Sequence, residues 1–158
     1  MRKKGTVIIP QETYQAHTEN LLPVRPVVLW AYTDMTDKRW KWGSKFIQLT
    51  QDPDSESPQK VGMLNRQGWA AYYFEGNLFI KKFKFEDGAV YPDYQSNLEI
   101  YTDKDIIEIE SLGPLEKVDP CSFVEHREDW FLFKVELDHS EDSIDANIEP
   151  LLEKAIKL

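Results

Sequence analysis

The chain has 158 residues and carries 19 basic against 28 acidic side chains, a formal charge of −9 at pH 7. This length suits one domain, and the acidic balance argues against non-specific binding to nucleic acids or anionic membranes, which requires clustered basic residues. The single cysteine, Cys121, excludes an internal disulfide framework and a zinc site built from several thiolates. No apolar run is long enough to span a membrane, so we expect a soluble, cytoplasmic, aromatic-rich domain.

Short runs of aromatic and β-branched residues, separated by turn residues, predict a series of strands. The predicted strands are 27–32, 45–49, 68–74, 77–83, 97–101, 105–110 and 121–134. Glu75-Gly76 lies between two of these runs and predicts a hairpin, whereas the polar, proline-containing segment 50–59 predicts an exposed loop. Since no convincing helix precedes residue 140, the pattern indicates an all-β antiparallel sandwich rather than alternating strand–helix units.

Residues 136–158 differ in character from the predicted sandwich domain, residues 1–135. They hold seven acidic and two basic side chains, a net charge of −5. The apolar residues recur at helical spacing and are Ile144, Ile148, Leu151, Leu152 and Ala155. Asn147 is the predicted N-cap, with Pro150 in the first turn. We expect an amphipathic C-terminal α-helix that packs on the domain or on a partner.

Two polar-aromatic segments indicate a ligand site. The first contains Arg39, Trp40 and Trp42, which combine a planar cation with flat apolar rings that suit the C–H faces and hydroxyl groups of sugars. The second contains Asn65, Arg66 and Trp69, which offer planar hydrogen-bond donors to a polar ligand. The alternatives are that the tryptophans bury an edge of the sandwich and that Arg66 forms a surface ion pair.

A third region is rich in carboxylates. Asn97 and Glu99 share one face of a predicted strand, Glu108 and Glu110 share one face of the next, and Asp93 precedes both strands. If the two strands pair, several carboxylates come close together, and like charges at short range raise a pKa toward values useful for acid–base catalysis. The alternative is a solvated strand face. The three histidines are scattered, and neither a metal nor another cofactor is predicted.

Six motifs together resemble an uncharacterised bacterial family of the galactose-mutarotase-like, carbohydrate-interacting β-supersandwich group. The motifs are Leu-Trp-Ala-Tyr-Thr-Asp at 29–34, Arg-Trp and Trp-Gly within 39–43, Asn-Arg-Gln-Gly-Trp-Ala-Ala-Tyr at 65–72, Phe-Ile-Lys at 79–81, Tyr-Pro-Asp at 91–93 and Glu-Ile-Glu-Ser-Leu-Gly-Pro-Leu at 108–115. The resemblance covers roughly residues 5 to 135. It implies a half or reduced supersandwich, since members of the family carry another set of strands ahead of Gly5.

The looser kinship with aldose 1-epimerases implies a role for one carboxylate. In those enzymes a strand ending in a Leu-Glu-Ser-like tripeptide supplies the general base, and Ile109-Glu110-Ser111 is similar, so the resemblance implies Glu110 as the catalytic residue. His17 and His126 match no epimerase motif. A half supersandwich exposes sheet edges or an apolar face. We therefore expect a homodimer or a single sandwich covered by the C-terminal helix.

Three functions remain open at this point. The first is a carbohydrate-binding protein whose ligand is a sugar or a small polar molecule. The second is a sugar-active enzyme of the aldose 1-epimerase type, with Glu110 as general base. The third is a structural or interaction domain without a ligand, whose partner binds the acidic helix.

Overall fold

The computed structural model describes residues 1 and 3–156, without the side chain of Ile156, and it is an antiparallel β-sandwich with one long C-terminal helix. The strands are β1 (Thr6–Pro10), β2 (Val27–Leu29), β3 (Trp40–Trp42), β4 (Phe46–Thr50), β5 (Gln59–Met63), β6 (Trp69–Phe74), β7 (Asn77–Phe83), β8 (Leu98–Thr102), β9 (Ile107–Ser111) and β10 (Glu128–Lys134). The helices are the single turn α1 (Pro92–Gln95) and α2 (Glu141–Ile156). Residues 157–158 of the predicted tail lie outside the described residues.

The strands form two sheets. The large sheet has the order β10-β7-β6-β1-β4-β3, and the small sheet has the order β2-β5-β8-β9. The predicted hairpin of β6 and β7 is present, with Phe74 opposite Asn77. The predicted pairing of β8 with β9 is also present and sets Glu99 opposite Glu110. The all-β sandwich predicted from the sequence is therefore confirmed.

Two apolar cores lie on opposite faces of the large sheet, because its central strand is buried on both sides. Val7 and Ile9 of β1 face the core between the two sheets, while Ile8 faces the core under α2. In α2, Ile144 and Ile148 are almost fully buried in that second core. Burial of one such side chain stabilises the fold by about 1.5–3 kcal/mol. The molecule thus has three layers, which are the small sheet, the large sheet and the helix.

Helix α2 begins earlier than the sequence pattern indicated. The hydroxyl of Ser140 accepts a hydrogen bond from the Ser143 N–H at 3.1 Å, as an N-cap does, whereas Asn147 lies inside the helix and donates to the carbonyl of Ser143. The prediction of Asn147 as N-cap was wrong because Pro150 was assigned to the first turn. It lies within the helix instead, at an exposed position.

Strand boundaries also differ from the expectation at several points. The strands β1, β3 and β5 were not predicted, because β1 and β3 lie in segments interpreted as an N-terminal stretch and a loop, and β5 lacks an aromatic run. The predicted strand 121–134 is a strand only from Glu128 onward. Residues 121–127 are exposed and irregular, since polar residues lie on both phases of their alternation.

The small sheet does not cover the whole face of the large sheet. Its last strand, β9, lies over β7, as a hydrogen bond between the two strands shows: the amine of Lys81 on β7 donates to the carbonyl oxygen of Ile109 on β9 at 2.8 Å. Beyond it, Trp130 and Leu132 of β10 project from the same face with 66% and 80% of their surface exposed. Phe131 and Phe133 point the other way and pack on the core under α2. This uncovered part of the sheet positions the site described next.

Candidate functional site

A groove of about 710 Å³ lies between the edge of β9 and the uncovered face of β7 and β10. Its lining consists of Met1, Tyr72, Phe79, Lys81, Ile107, Glu108, Ile109, Glu110 and Trp130. The floor is apolar and aromatic, and the charged or hydroxyl-bearing side chains in the lining are those of Tyr72, Lys81, Glu108 and Glu110. This composition is typical of small-molecule sites, in which an apolar surface is combined with a few convergent polar groups.

A buried ion pair fixes the far wall of the groove. Lys81 is 7% exposed, and its amine lies 2.7 Å from the Glu128 carboxylate. Burial alone would raise the pKa of Glu128, but hydrogen bonds from Lys81, Ser111 and Trp130 hold it below its ordinary value. The carboxylate is therefore ionised at neutral pH. His126 contacts the Ser111 hydroxyl through Nε2 at 2.7 Å and closes this network.

The same network orients Trp130. Its indole N–H donates to Glu128 Oε2 at 2.9 Å, and its ring meets Phe79 edge-on, with 5.7 Å between the ring centroids. The Lys81 amine lies 5.8 Å from the indole centroid, within the range of a cation–π contact. The indole is thus held from its edge while 66% of the residue remains exposed. An aromatic ring held in this way offers an apolar surface to a ligand.

The near rim of the groove is formed by β9. Glu108 and Glu110 both project from the face of β9 opposite to Ile107 and Ile109, which pack in the core between the sheets. Both oxygens of Glu110 lie 3.2 Å from the amine of Lys60. Glu110 therefore lines the groove and also belongs to a second cluster on the outer face of the small sheet.

That outer cluster joins Lys60, Glu99 and Glu110. The Lys60 amine lies 2.7 Å from Glu99, whose side chain is 3% exposed. Burial raises the pKa of Glu99. The amine of Lys60 lowers this pKa, whereas the nearby Asp93 carboxyl raises it, and the pKa of Glu99 stands above its ordinary value. Burial lowers the pKa of Lys60, but its bonds to Glu99 and Glu110 raise it above its ordinary value. Among the described residues, Glu99 Oε1 has no hydrogen-bond partner.

A left-handed turn brings Asp93 to this cluster. Asp93, Tyr94 and Gln95 have φ angles of 45°, 57° and 74°, a conformation that costs non-glycine residues about 1–2 kcal/mol each. Local hydrogen bonds offset the cost: Ser96 Oγ donates to the Asp93 carbonyl at 2.8 Å, and the Tyr91 N–H donates to Gln95 Oε1 at 2.8 Å. Asp93 is thus held at the surface beside the buried Glu99.

Aromatic residues border the outer cluster. Lys60 lies 4.8 Å from the centroid of the Trp30 ring, and Trp30 packs against Gly62, where a Cβ would approach the ring to 3.1 Å. Burial raises the pKa of Tyr32. Lys60 lowers it and the neighbouring Glu110 and Glu99 raise it, so that the pKa stands above its ordinary value. The cluster is therefore a charged patch that is flanked by rings, and it shares Glu110 with the groove.

The first predicted aromatic segment is part of the fold's interior. Arg39 has a side chain that is 1% exposed, and it binds Asp37 through Nε at 2.9 Å and Nη2 at 2.8 Å. Trp40 is 8% exposed and donates from its indole to Gln59 at 3.1 Å. The ring of Trp42 lies 5.1 Å from that of Trp40. These side chains bury an edge of the sandwich, which is the alternative that the sequence left open.

The second predicted segment is also largely structural. Asn65 and Asn97 are buried, and the Asn97 side chain binds the backbone of Asn65: the Asn65 N–H donates to Asn97 Oδ1 at 2.6 Å, and Asn97 Nδ2 donates to the Asn65 carbonyl at 2.9 Å. Trp69 lies in the core under α2. The side chain of Arg66 is 42% exposed. It lies over the Phe85 ring and is 4.0 Å from the carboxylate of Glu12. Of the predicted site residues, the structure therefore brings together Asp93, Glu99, Glu108 and Glu110.

Several residues around the groove and the cluster were not predicted. Lys60, Lys81, Glu128 and Trp130 lie in or beside strands in which they could not be distinguished from ordinary alternating residues. One signal was available for Trp130. Residues 130–133 are all apolar, so both faces of this strand carry apolar side chains, and on an edge strand one of those faces is often left exposed. Another was Lys81, a cation that directly follows the apolar run of β7.

Among residues 1 and 3–156, no three His, Cys, Asp or Glu side chains converge in a way that could hold a metal ion. A helix with the length and apolarity required to cross a membrane is likewise absent from that part of the chain. Comparison of this chain with family models, with curated proteins and with solved structures finds no match, so the link with the galactose-mutarotase-like group stays a prediction.

Proposed function

We propose that this protein binds a carbohydrate in the groove between β9 and β10. The observation that carries the proposal is Trp130, a residue that is 66% exposed although its indole N–H is held by Glu128. The C–H face of a pyranose is apolar and stacks on such a ring, in the same way that an apolar ligand packs on an aromatic side chain. The ring needs no rearrangement to accept it, because the ion pair of Lys81 and Glu128 already fixes its orientation.

The rim supplies the hydrogen-bonding groups that a stacked sugar requires. Glu108 and Glu110 lie on β9, across the groove from Trp130, and both line it. Ionised carboxylates accept hydrogen bonds from hydroxyl groups, and such charge-assisted bonds are stronger than neutral ones. Because both side chains project from the outer face of β9, we expect them to bind the hydroxyls that extend past the rim of the groove.

The charges around the groove favour a neutral sugar over an acidic one. Glu108 and Glu110 line it and Glu128 lies behind Trp130, whereas Lys81 is the amine in the lining and its charge is already paired. Lys81 and Lys60 are already paired with Glu128 and Glu110, so a uronate or sugar phosphate would find no unpaired side-chain amine among the described residues of the lining and would be repelled by the nearby carboxylates. We therefore expect neutral monosaccharides or oligosaccharides as ligands.

The proposal is tested by a screen of neutral sugars with the tryptophan indoles labelled with ¹⁵N. The protein has five tryptophans, and the variant Trp130→Phe identifies the signal of Trp130. A ligand in the groove shifts that signal and leaves those of Trp40 and Trp69 in place, because both are buried in the cores. If no saccharide binds, or if a bound sugar shifts the Trp30 signal alone, the groove is not the binding site.

One observation favours a second function, that of a sugar-active enzyme of the aldose 1-epimerase type. Glu110 lines the groove while Lys60 holds its carboxylate at 3.2 Å, an arrangement that fixes the position of a general base. Glu110→Gln separates the two functions. A binding protein keeps much of its affinity, whereas an enzyme loses turnover of anomers by about 10²–10⁴-fold. Glu108→Gln is the matched control, because it lies on the same face of β9 and has no bond to Lys60 in the structure.

We further propose a cytoplasmic location for this binding protein. Cys121 is a free and exposed thiol. Such thiols persist in reducing compartments, whereas the oxidising environment of secreted proteins converts them to disulfides. Quantifying the free thiol in protein isolated from cell fractions tests this part of the proposal.

A further inference from the structure

The outer edge of β10 is the longest unpaired strand edge in the described part of the chain. Strand β10 has seven residues, whereas the other three terminal strands β2, β3 and β9 have three, three and five. Natural edge strands are protected by shortness, proline or charge. In β10, the exposed Trp130 and Leu132 occupy the middle of the strand, and the sequence Glu-Asp-Trp-Phe-Leu-Phe-Lys contains no proline.

The hydrogen-bonding direction of each β10 residue follows from its pairing with β7. The Val135 N–H donates to the Gly76 carbonyl at 3.1 Å, so Val135 points toward β7. Because successive residues of a strand point their backbone groups to opposite sides, the odd-numbered residues pair with β7. Glu128, Trp130, Leu132 and Lys134 therefore direct their N–H and C=O groups to the free edge.

The pattern of side chains along this edge is complementary to itself. A two-fold axis at Phe131 sets Glu128 of one copy opposite Lys134 of the other, and Trp130 opposite Leu132. With the two-fold axis at any other residue of β10, Glu128 of one copy would not lie opposite Lys134 of the other. Both kinds of pair join residues whose backbone groups face the free edge, as an antiparallel ladder requires. Opposite charges and aromatic–aliphatic pairs in this relationship stabilise a sheet.

We propose that two copies of this chain associate through their β10 strands, with the two-fold axis at Phe131. The two large sheets then form one continuous sheet, and the interface is isologous, as in most soluble dimers. On the groove side, Leu132 of the second copy lies beside Trp130 and extends the apolar floor across the axis. On the helix side, the two Phe131 rings meet. The association explains why an apolar edge remains uncovered in a single copy.

The test compares Leu132→Pro with Leu132→Val by sedimentation velocity and light scattering. The Leu132 N–H points to the free edge, so proline removes no bond to β7 but blocks the ladder between copies. The valine variant keeps that N–H and its apolar contact. We expect the wild type and Leu132→Val to have twice the 18.5 kDa mass of the chain, and Leu132→Pro to be a monomer with an unchanged circular dichroism spectrum.

A second variant decides the matter if the proline disturbs folding. Lys134→Glu places like charges opposite each other at both ends of the ladder, and we expect the dimer dissociation constant to rise about tenfold. The proposal is overturned if the wild type is a monomer at submillimolar concentration. It is equally overturned if the folded Leu132→Pro variant, or Lys134→Glu in its place, dimerises as strongly as the wild type. These masses are measured without a sugar, so they do not depend on the proposed binding function.

Discussion

Glu99 and Glu110 lie directly opposite each other on neighbouring antiparallel strands, and the amine of Lys60 binds both of them. Two carboxylates in this position repel one another unless a cation lies between them. Lys60 therefore does more than occupy the sheet surface: it holds Glu110 in place at the rim of the groove. The position of the proposed site thus depends on Lys60 of β5, which lies two strands away from β9 in the small sheet.

Lys60→Met tests this dependence through stability. Removing the amine leaves the buried Glu99 and the half-buried Glu110 without their cation, and we expect the free energy of unfolding to fall by about 3 kcal/mol at pH 7. The pKa of Glu99 is already raised by burial, and loss of Lys60 raises it further. A carboxyl whose pKa is higher in the folded state takes up its proton preferentially there, so stability returns as the pH falls toward that raised value.

Urea unfolding of Lys60→Met at a series of pH values measures both effects. Lys84→Met is the control, since the side chain of Lys84 is 77% exposed and its removal leaves no buried charge. A loss of stability that is equal for both variants, or that does not shrink at lower pH, would contradict the role given to Lys60.

Asp37→Asn tests the buried ion pair that stands where a sugar site was predicted. The Arg39 guanidinium is 1% exposed and makes two bonds to Asp37, so loss of the carboxylate leaves a buried cation unpaired. We expect the unfolding free energy to fall by about 3–5 kcal/mol. Replacing both residues, as in Asp37→Leu with Arg39→Met, removes the unpaired charge and is expected to cost less. A neutral effect of Asp37→Asn on the thermal midpoint and on urea unfolding would show that the pair is not structurally important.

From the lowered pKa of His139 we expect the stability of the fold to depend on pH between neutral and mildly acidic conditions. Burial lowers the pKa of His139, and Lys41 lowers it further against a smaller opposing effect of Asp138. The unfolded chain therefore takes up a proton near the ordinary value of 6.5 before the folded chain does. The stability is complete above that value and is lost as the pH falls below it.

The variant His139→Asn removes this contribution and retains a residue that tolerates the left-handed backbone, since φ is 62° there. We expect the slope of unfolding free energy against pH, between about pH 7 and pH 5, to be smaller in the variant than in the wild type. His17→Asn, at an exposed position, should keep the wild-type slope. Identical slopes in all three proteins would exclude His139 as the source.

The sequence predicted the sandwich well because its strands are marked by local signals, such as the Glu75-Gly76 hairpin turn. It also predicted the opposed carboxylates, since the pairing of β8 with β9 depends on a short connection. It could not assign the tryptophans. Trp40 and Trp130 each follow a charged residue in the chain, yet Trp40 is 8% and Trp130 66% exposed, because burial depends on how far the small sheet extends over the large one.

Two further residues show what a single sequence leaves undetermined. Arg39 resembles a ligand-binding cation until the fold brings Asp37 and the Ser57 carbonyl around it. Lys60 lies in a strand without an aromatic run, and its importance arises only when β5 pairs with β8 beside Glu99. Contacts between distant segments decide both roles, and a local pattern carries no information about them.

The most direct test of carbohydrate binding in the groove is the affinity of Trp130→Ala for the sugar found in the screen, measured by isothermal titration calorimetry. Tyr14→Ala is the matched control, because Tyr14 is an aromatic residue that is 74% exposed and does not line the groove. We predict that Trp130→Ala weakens binding by about 10- to 100-fold, as loss of a central aromatic contact does, while Tyr14→Ala binds like the wild type. Unchanged affinity of a folded Trp130→Ala variant would contradict the account.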